Sequence, residues 1–113
     1  MLPKKRRISR KEFPHILSTG KRFNSQSLLL YLALDKTNIL SRFSFSLSKK
    51  TCALATERNK YRRQGYSLIT ENLKRIKPGF LLFFSFKKGS LPISYDKLRA
   101  EVEELLSNSG VII

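Results

Sequence analysis

The sequence predicts an α+β fold, a compact two-layer α/β sandwich, from three observations. Segments with apolar residues at helical spacing alternate with short segments whose apolar residues recur at every second position. The chain has 113 residues, 41% of them hydrophobic, which suits one domain with a single modest core. Turn-forming residues such as Gly20, Pro78-Gly79 and Gly89 separate those segments. The element order reads α-β-β-α-β-α across a single domain of residues 1–113.

The chain begins with a basic arm, residues 1–8, within a stretch that reads as extended through residue 11. Ser9 and Glu12 then have the spacing of a capping box, and Ile8 can staple onto Phe13. Phe13, Ile16 and Leu17 share one face of a short helix. Pro14 moves its start to Lys11 or Glu12, because past the first turn proline removes a backbone bond. Gly20 closes the helix as a C′ residue. Ser27 to Leu34 reads as a strand with Leu28, Leu30, Leu32 and Leu34 on one face and Leu29, Tyr31 and Ala33 on the other. Asp35 to Asn38 is a turn. Arg42 to Ser48 alternates, with Phe43, Phe45 and Leu47 inward and Arg42, Ser44, Ser46 and Ser48 outward.

After Lys49-Lys50 and a loop, a second helix runs to about Ile76. Tyr61, Gly65, Leu68, Ile69, Leu73 and Ile76 gather on its apolar side, and Asn59, Lys60, Arg63, Ser67 and Lys74 on the other. Arg58 and Arg62 overhang the tip of the apolar arc. Phe80 to Phe86 is an apolar run, broken only by Ser85, and reads as a central or two-faced strand. Ser94 caps a last helix with an apolar stripe of Leu98, Val102, Leu105 and Leu106, and Gly110 ends it.

Charge dominates the composition. The net charge is +15 with a pI near 10.5, and the acids concentrate in the last helix, so the cationic body is the working surface. A field of this kind implies a polyanionic partner, nucleic acid before an anionic membrane. Cys52 is the only cysteine; it cannot form an internal disulfide, which suits a reducing, cytoplasmic setting. It reads as a small apolar residue, with a reactive thiol as the alternative. No apolar run approaches the ~20 residues of a membrane span, and the basic N-terminus leads into no signal-peptide core.

Arg58-Asn59-Lys60-Tyr61-Arg62-Arg63 opens the second helix with cations where the helix dipole favours acids, and Glu57 is the one acid nearby. An external anion such as phosphate relieves that repulsion; a solvated charge run is the plainer alternative. Tyr31, with Phe13, Leu17 and Phe23, can offer a stacking platform for single-stranded nucleic acid, or these can be core residues. No catalytic set of the protein's own emerges. His15 is the only histidine, and neither metal-ligand spacing, paired carboxylates nor a phosphate loop is present. Catalysis would therefore have to come from an RNA or another subunit.

In that order and spacing, the sequence resembles the protein subunit of bacterial ribonuclease P over nearly its whole length. The resemblance is carried by Leu2-Pro3-Lys4-Lys5, Glu12-Phe13, Gly20-Lys21, Leu29-Leu30-Tyr31 and Phe43 to Lys50. It is carried further by Leu91 to Tyr95, and most specifically by Arg58, Asn59, Lys60, Arg62 and Arg63 against the family's R-N-R-x-[KR]-R pattern. The chain departs from the family in a longer stretch before Arg58, in Glu57, and in Gly65-Tyr66-Ser67.

The resemblance implies a ribonucleoprotein in which a large RNA, with its Mg²⁺ ions, removes the 5′ leader of precursor tRNA by phosphodiester hydrolysis. By the same resemblance Arg58, Asn59, Lys60, Arg62 and Arg63 would contact the catalytic RNA. Phe13, Leu17, Tyr31, Lys49 and Lys50 would line the cleft that holds the leader. The protein would be a subunit of the enzyme without catalytic residues, metal ligands or a small-molecule ligand of its own. The alternative is a general RNA-binding or ribosome-associated protein with no role in cleavage; a membrane binder ranks last, because the apolar stripes are those a small core requires.

Overall fold

The computed structural model describes residues 3–35 and 40–112, so most of the turn expected at residues 35–38 lies outside the described residues. The elements are α1 (Phe13–Thr19), β1 (Lys21–Asn24), β2 (Leu28–Leu34), β3 (Arg42–Ser46), α2 (Ala55–Asn72), β4 (Phe80–Phe86) and α3 (Tyr95–Asn108), with 3-10 turns at Lys4–Arg6, Arg10–Glu12 and Leu73–Arg75. One strand, β1, is additional to those expected from the sequence. Four residues, two of them cationic, give it too little apolar alternation to be read. It forms because Ser25 folds the chain back, its N–H donating to the Leu28 carbonyl at 2.9 Å.

The sheet order is β1-β2-β4-β3. Neighbours are antiparallel except β3 and β4, whose parallel pairing needs a crossover that α2 supplies. The mostly apolar β4 lies inside the sheet, where both of its faces are covered or half-covered. On one face, Leu28, Leu30, Phe43, Phe45, Leu82 and Phe84 pack with Tyr61, Leu68 and Ile69 of α2 and with Leu98, Val102, Leu105 and Leu106 of α3. Each large aliphatic or aromatic residue so buried contributes roughly 1.5–3 kcal/mol. On the other face a smaller cluster joins Ile8 and Ile16 to Ala33 and Leu81. There α1 covers only part of the sheet and leaves the rest open.

Local grammar accounts for the ends. Ser9 and Glu12 form the expected capping box, but it caps the 3-10 turn, and α1 begins at Phe13. Pro14 then falls in the first turn, where no intrahelical bond is lost. Gly20 has φ −71°, so it is not a left-handed C′ residue. It is needed for close approach, because a Cβ there would lie 2.5 Å from the Ile16 carbonyl oxygen.

In α2 the expected faces appear: Tyr61, Gly65, Leu68 and Ile69 are buried, while Asn59, Lys60, Arg63 and Ser67 are exposed; the helix ends at Asn72, short of Ile76, and Lys74 is exposed on the 3-10 turn that follows. Ser94 accepts a hydrogen bond from the Lys97 N–H and caps α3. The acidic helix is not wholly solvated, however. Glu101 is buried, taking hydrogen bonds from the Ser25 hydroxyl at 2.5 Å and the Ser27 N–H at 2.6 Å. It thereby ties the β1–β2 turn to α3.

Candidate nucleic-acid interface

The open face of the sheet can be read row by row from the strand register. Side chains of directly paired residues share a face, so one row runs Arg22, Tyr31, Phe83, Ser44 from β1 to β3, and the next Asn24, Leu29, Ser85, Ser46. The first row is an aromatic floor. Tyr31 stacks on Phe83 with centroids 5.8 Å apart, and Phe13 of α1 meets Phe83 from the other side at 5.0 Å. Phe13 and Tyr31, both singled out by sequence, therefore meet through Phe83, which sequence reasoning passed over. Nothing in an unbroken Phe/Leu run tells which phenylalanine faces which side. Phe23 leaves the platform: paired with Leu30, it lies on the opposite face against the main core.

α1 forms a wall along this floor. It starts above β3, where Glu12 bonds Arg42, and ends where Gly20 enters β1. Leu17 is 52% exposed on it. Arg42 is not an outward free cation. Its Nη1 donates to Glu12 at 2.7 Å, and its Nη2 donates to Glu12 and, at 3.0 Å, to Asp35. Burial alone raises the Glu12 pKa; hydrogen bonds from the Ser9 N–H, Arg42 and the Ser9 hydroxyl outweigh it and hold the carboxyl below its usual value. Ser44, expected to face solvent, is buried. It sits opposite Phe83 and next to Phe43, where the arm docks: Arg7 bridges Phe43, and the Ile8 N–H donates to the Phe43 carbonyl at 3.0 Å. That docking also protects the edge of β3.

Beyond β3 the floor opens into a cleft of about 1170 Å³ between the arm and α2, lined by Lys4, Lys5, Arg10, Ser46, Asn59, Arg62 and Arg63 among others. The cations of α2 differ in what they do. Arg58 folds back, its Nη1 donating to the carbonyls of Cys52 at 2.8 Å and Ala53 at 2.9 Å, so it fixes the loop that leads into the helix. Arg62 donates to the Asn59 side chain, and Lys60 lies over the Tyr61 ring at 5.3 Å. Among the described residues none of these cations has an acidic partner. The helix has no side-chain N-cap either, Leu54 occupying that position. Lys49 and Lys50 stand exposed on the turn after β3, which is held by Thr51 and Cys52 N–H bonds to the Ser48 carbonyl.

The departures after Arg63 have a packing reason. A Cβ at position 65 would lie 2.7 Å from the Phe45 ring. Tyr66 meets the same ring edge-on at 5.4 Å, and its hydroxyl accepts the Phe45 N–H at 3.4 Å.

Comparison with known proteins joins this geometry to a family. The ribonuclease P family model matches residues 2–110. The chain belongs to the ribonuclease P protein family. It is 31% identical over 112 residues to the ribonuclease P protein component of a Synechocystis species, covering 98% of this chain and 90% of the relative. To that of Microcystis aeruginosa it is 30% identical over 115 residues, covering 98% and 96%. The ribonuclease P protein of Staphylococcus aureus shares the fold with a TM-score of 0.87 at 19% identity, over 96% of this chain and 98% of that one. That of Thermotoga maritima does so with a TM-score of 0.81 at 22% identity, over 90% and 96%. Membership places the chain in a ribonucleoprotein of tRNA processing, with ribonuclease P RNA as its partner.

Two further properties concern what these residues hold. Among the described residues no three His, Cys, Asp or Glu side chains cluster as a metal site requires; Glu12 and Asp35, which do come together, are engaged by Arg42. No helix among the described residues is long and apolar enough to cross a membrane.

Proposed function

We propose that this chain is the protein subunit of a ribonuclease P holoenzyme, binding the catalytic RNA and the 5′ leader of precursor tRNA and so assisting endonucleolytic removal of the leader. The observation that carries this reading is one continuous surface. An aromatic floor open to solvent, Phe13–Phe83–Tyr31, adjoins a helix start whose cations have no acidic partner among the described residues. Unpaired leader nucleotides can stack on the floor, each base contributing about 1–3 kcal/mol. Leu17 extends the apolar wall, and Lys49 and Lys50 stand at the end of β3, within reach of phosphates.

Asn59, Lys60, Arg62 and Arg63 face outward and suit the catalytic RNA. Arg58 is assigned to the same surface through its remaining guanidinium N–H groups while it fixes the loop. The hydrolysis and the Mg²⁺ it uses belong to the RNA; the protein positions and neutralises. Reconstitution tests this reading. The protein is mixed with its cognate catalytic RNA and a labelled precursor tRNA at low Mg²⁺. Faster leader release, lost in the Arg62→Ala/Arg63→Ala variant, is the expected result. Tight RNA binding with no stimulation would overturn it in favour of a general RNA-binding protein.

A further inference from the structure

Strand β1, invisible in the sequence pattern, adds two polar side chains to the open face. Arg22 continues the Tyr31–Phe83–Ser44 row, and Asn24 continues the Leu29–Ser85–Ser46 row. Both are exposed, and neither has a side-chain hydrogen bond or ion pair among the described residues. They stand at the edge of the sheet opposite β3 and the basic half of α2. Three strand spacings separate the two edges, about 14 Å, and α1 packs over β2 between them. The floor therefore has a cationic end at each edge and aromatics between them.

We propose that Arg22, assisted by Asn24, is a second phosphate-binding contact that receives the leader nucleotides farthest from the catalytic RNA; this rests on the leader reading above. A guanidinium beside an aromatic floor suits a single strand, because it holds the phosphate while the base stacks. The plainer explanation, that charges on an edge strand only discourage strand addition, applies equally to Lys21. Lys21 is exposed on the same strand, but its register partner is Leu32, so it faces the other side of the sheet. It is the internal control.

The experiment measures the affinity of the reconstituted holoenzyme for precursor tRNAs whose leaders are lengthened one nucleotide at a time. Wild type is compared with Arg22→Ala, Lys21→Ala and Tyr31→Ala. With the longest leaders Arg22→Ala should lose about tenfold in affinity, and the log–log salt slope should become shallower by about 0.7, one single-strand phosphate. With the shortest leaders Arg22→Ala should match wild type, while Tyr31→Ala should already be weakened at intermediate lengths. Lys21→Ala should follow wild type throughout. Equal losses for Arg22→Ala at every length, or losses shared by Lys21→Ala, would overturn the proposal and leave the leader reading standing. A wild-type affinity that ignores leader length, with Tyr31→Ala without effect, would overturn both.

Discussion

Replacing Gly65 by alanine in the middle of α2 would ordinarily stabilise a helix by about 1 kcal/mol. Here the expected sign is the opposite. The added Cβ would lie 2.7–2.8 Å from three atoms of the Phe45 ring, and that ring cannot step aside. It is 3% exposed, stacked on Phe84 at 4.6 Å and held edge-on by Tyr66. Overpacking of a filled core costs about 1–3 kcal/mol, so the net expectation is a loss of about 1 kcal/mol. Urea unfolding followed by circular dichroism reads this as a lowered midpoint with an unchanged slope. A double-mutant cycle makes the test specific to the contact. In the Phe45→Leu background the clash is removed, and Gly65→Ala should then stabilise by about 1 kcal/mol. Stabilisation by Gly65→Ala in the otherwise wild-type protein would refute the reasoning, as would the same effect in both backgrounds.

Other outcomes follow from the same contacts. Arg42→Ala removes the guanidinium that Glu12 and Asp35 share, and should cost about 3 kcal/mol in urea unfolding. For Glu101, burial raises the pKa, but hydrogen bonds from the Ser25 hydroxyl and the Ser27 N–H lower it further, so the folded value lies below the usual one. Its contribution to stability is therefore present above the unfolded pKa and is lost as pH falls through the lower folded one. Glu101→Gln should flatten that acid limb of the stability–pH profile, and an unchanged limb would exclude the carboxylate. Arg62→Ala and Arg63→Ala should each reduce the salt slope of catalytic-RNA binding by up to about 0.9 while leaving the thermal midpoint within a degree or two, as both lie at the surface; a steep loss of stability would mark them as packing residues.

The fold was legible where periodicity was clean. The apolar sides of α2 and α3 follow from spacing, because each buries one stripe, and the interior place of β4 follows from its apolar run. Strand β1 was not legible: its partner is set by the Ser25–Leu28 turn and by Glu101, a contact between residues far apart in the chain. The site was legible in its parts but not in its joints. Phe13 and Tyr31 stood out as aromatics beside cations, yet Phe83, which joins them, is hidden in an apolar run. Arg42 and Arg58 read as cations like the others, and only tertiary structure reveals that one is neutralised by Glu12 and Asp35 and the other bonds loop carbonyls. Gly65 read only as part of a departure from the family pattern, because the Phe45 ring that requires it arrives from a strand.

The open aromatic face is proposed to serve the leader. The most direct measurement compares how much the protein strengthens holoenzyme affinity for precursor tRNA and for the same tRNA without its leader. A gain for the precursor alone, removed by Phe83→Ala or Tyr31→Ala in protein that remains folded by circular dichroism, is the expected result. An equal gain for both RNAs, indifferent to those substitutions, would contradict it.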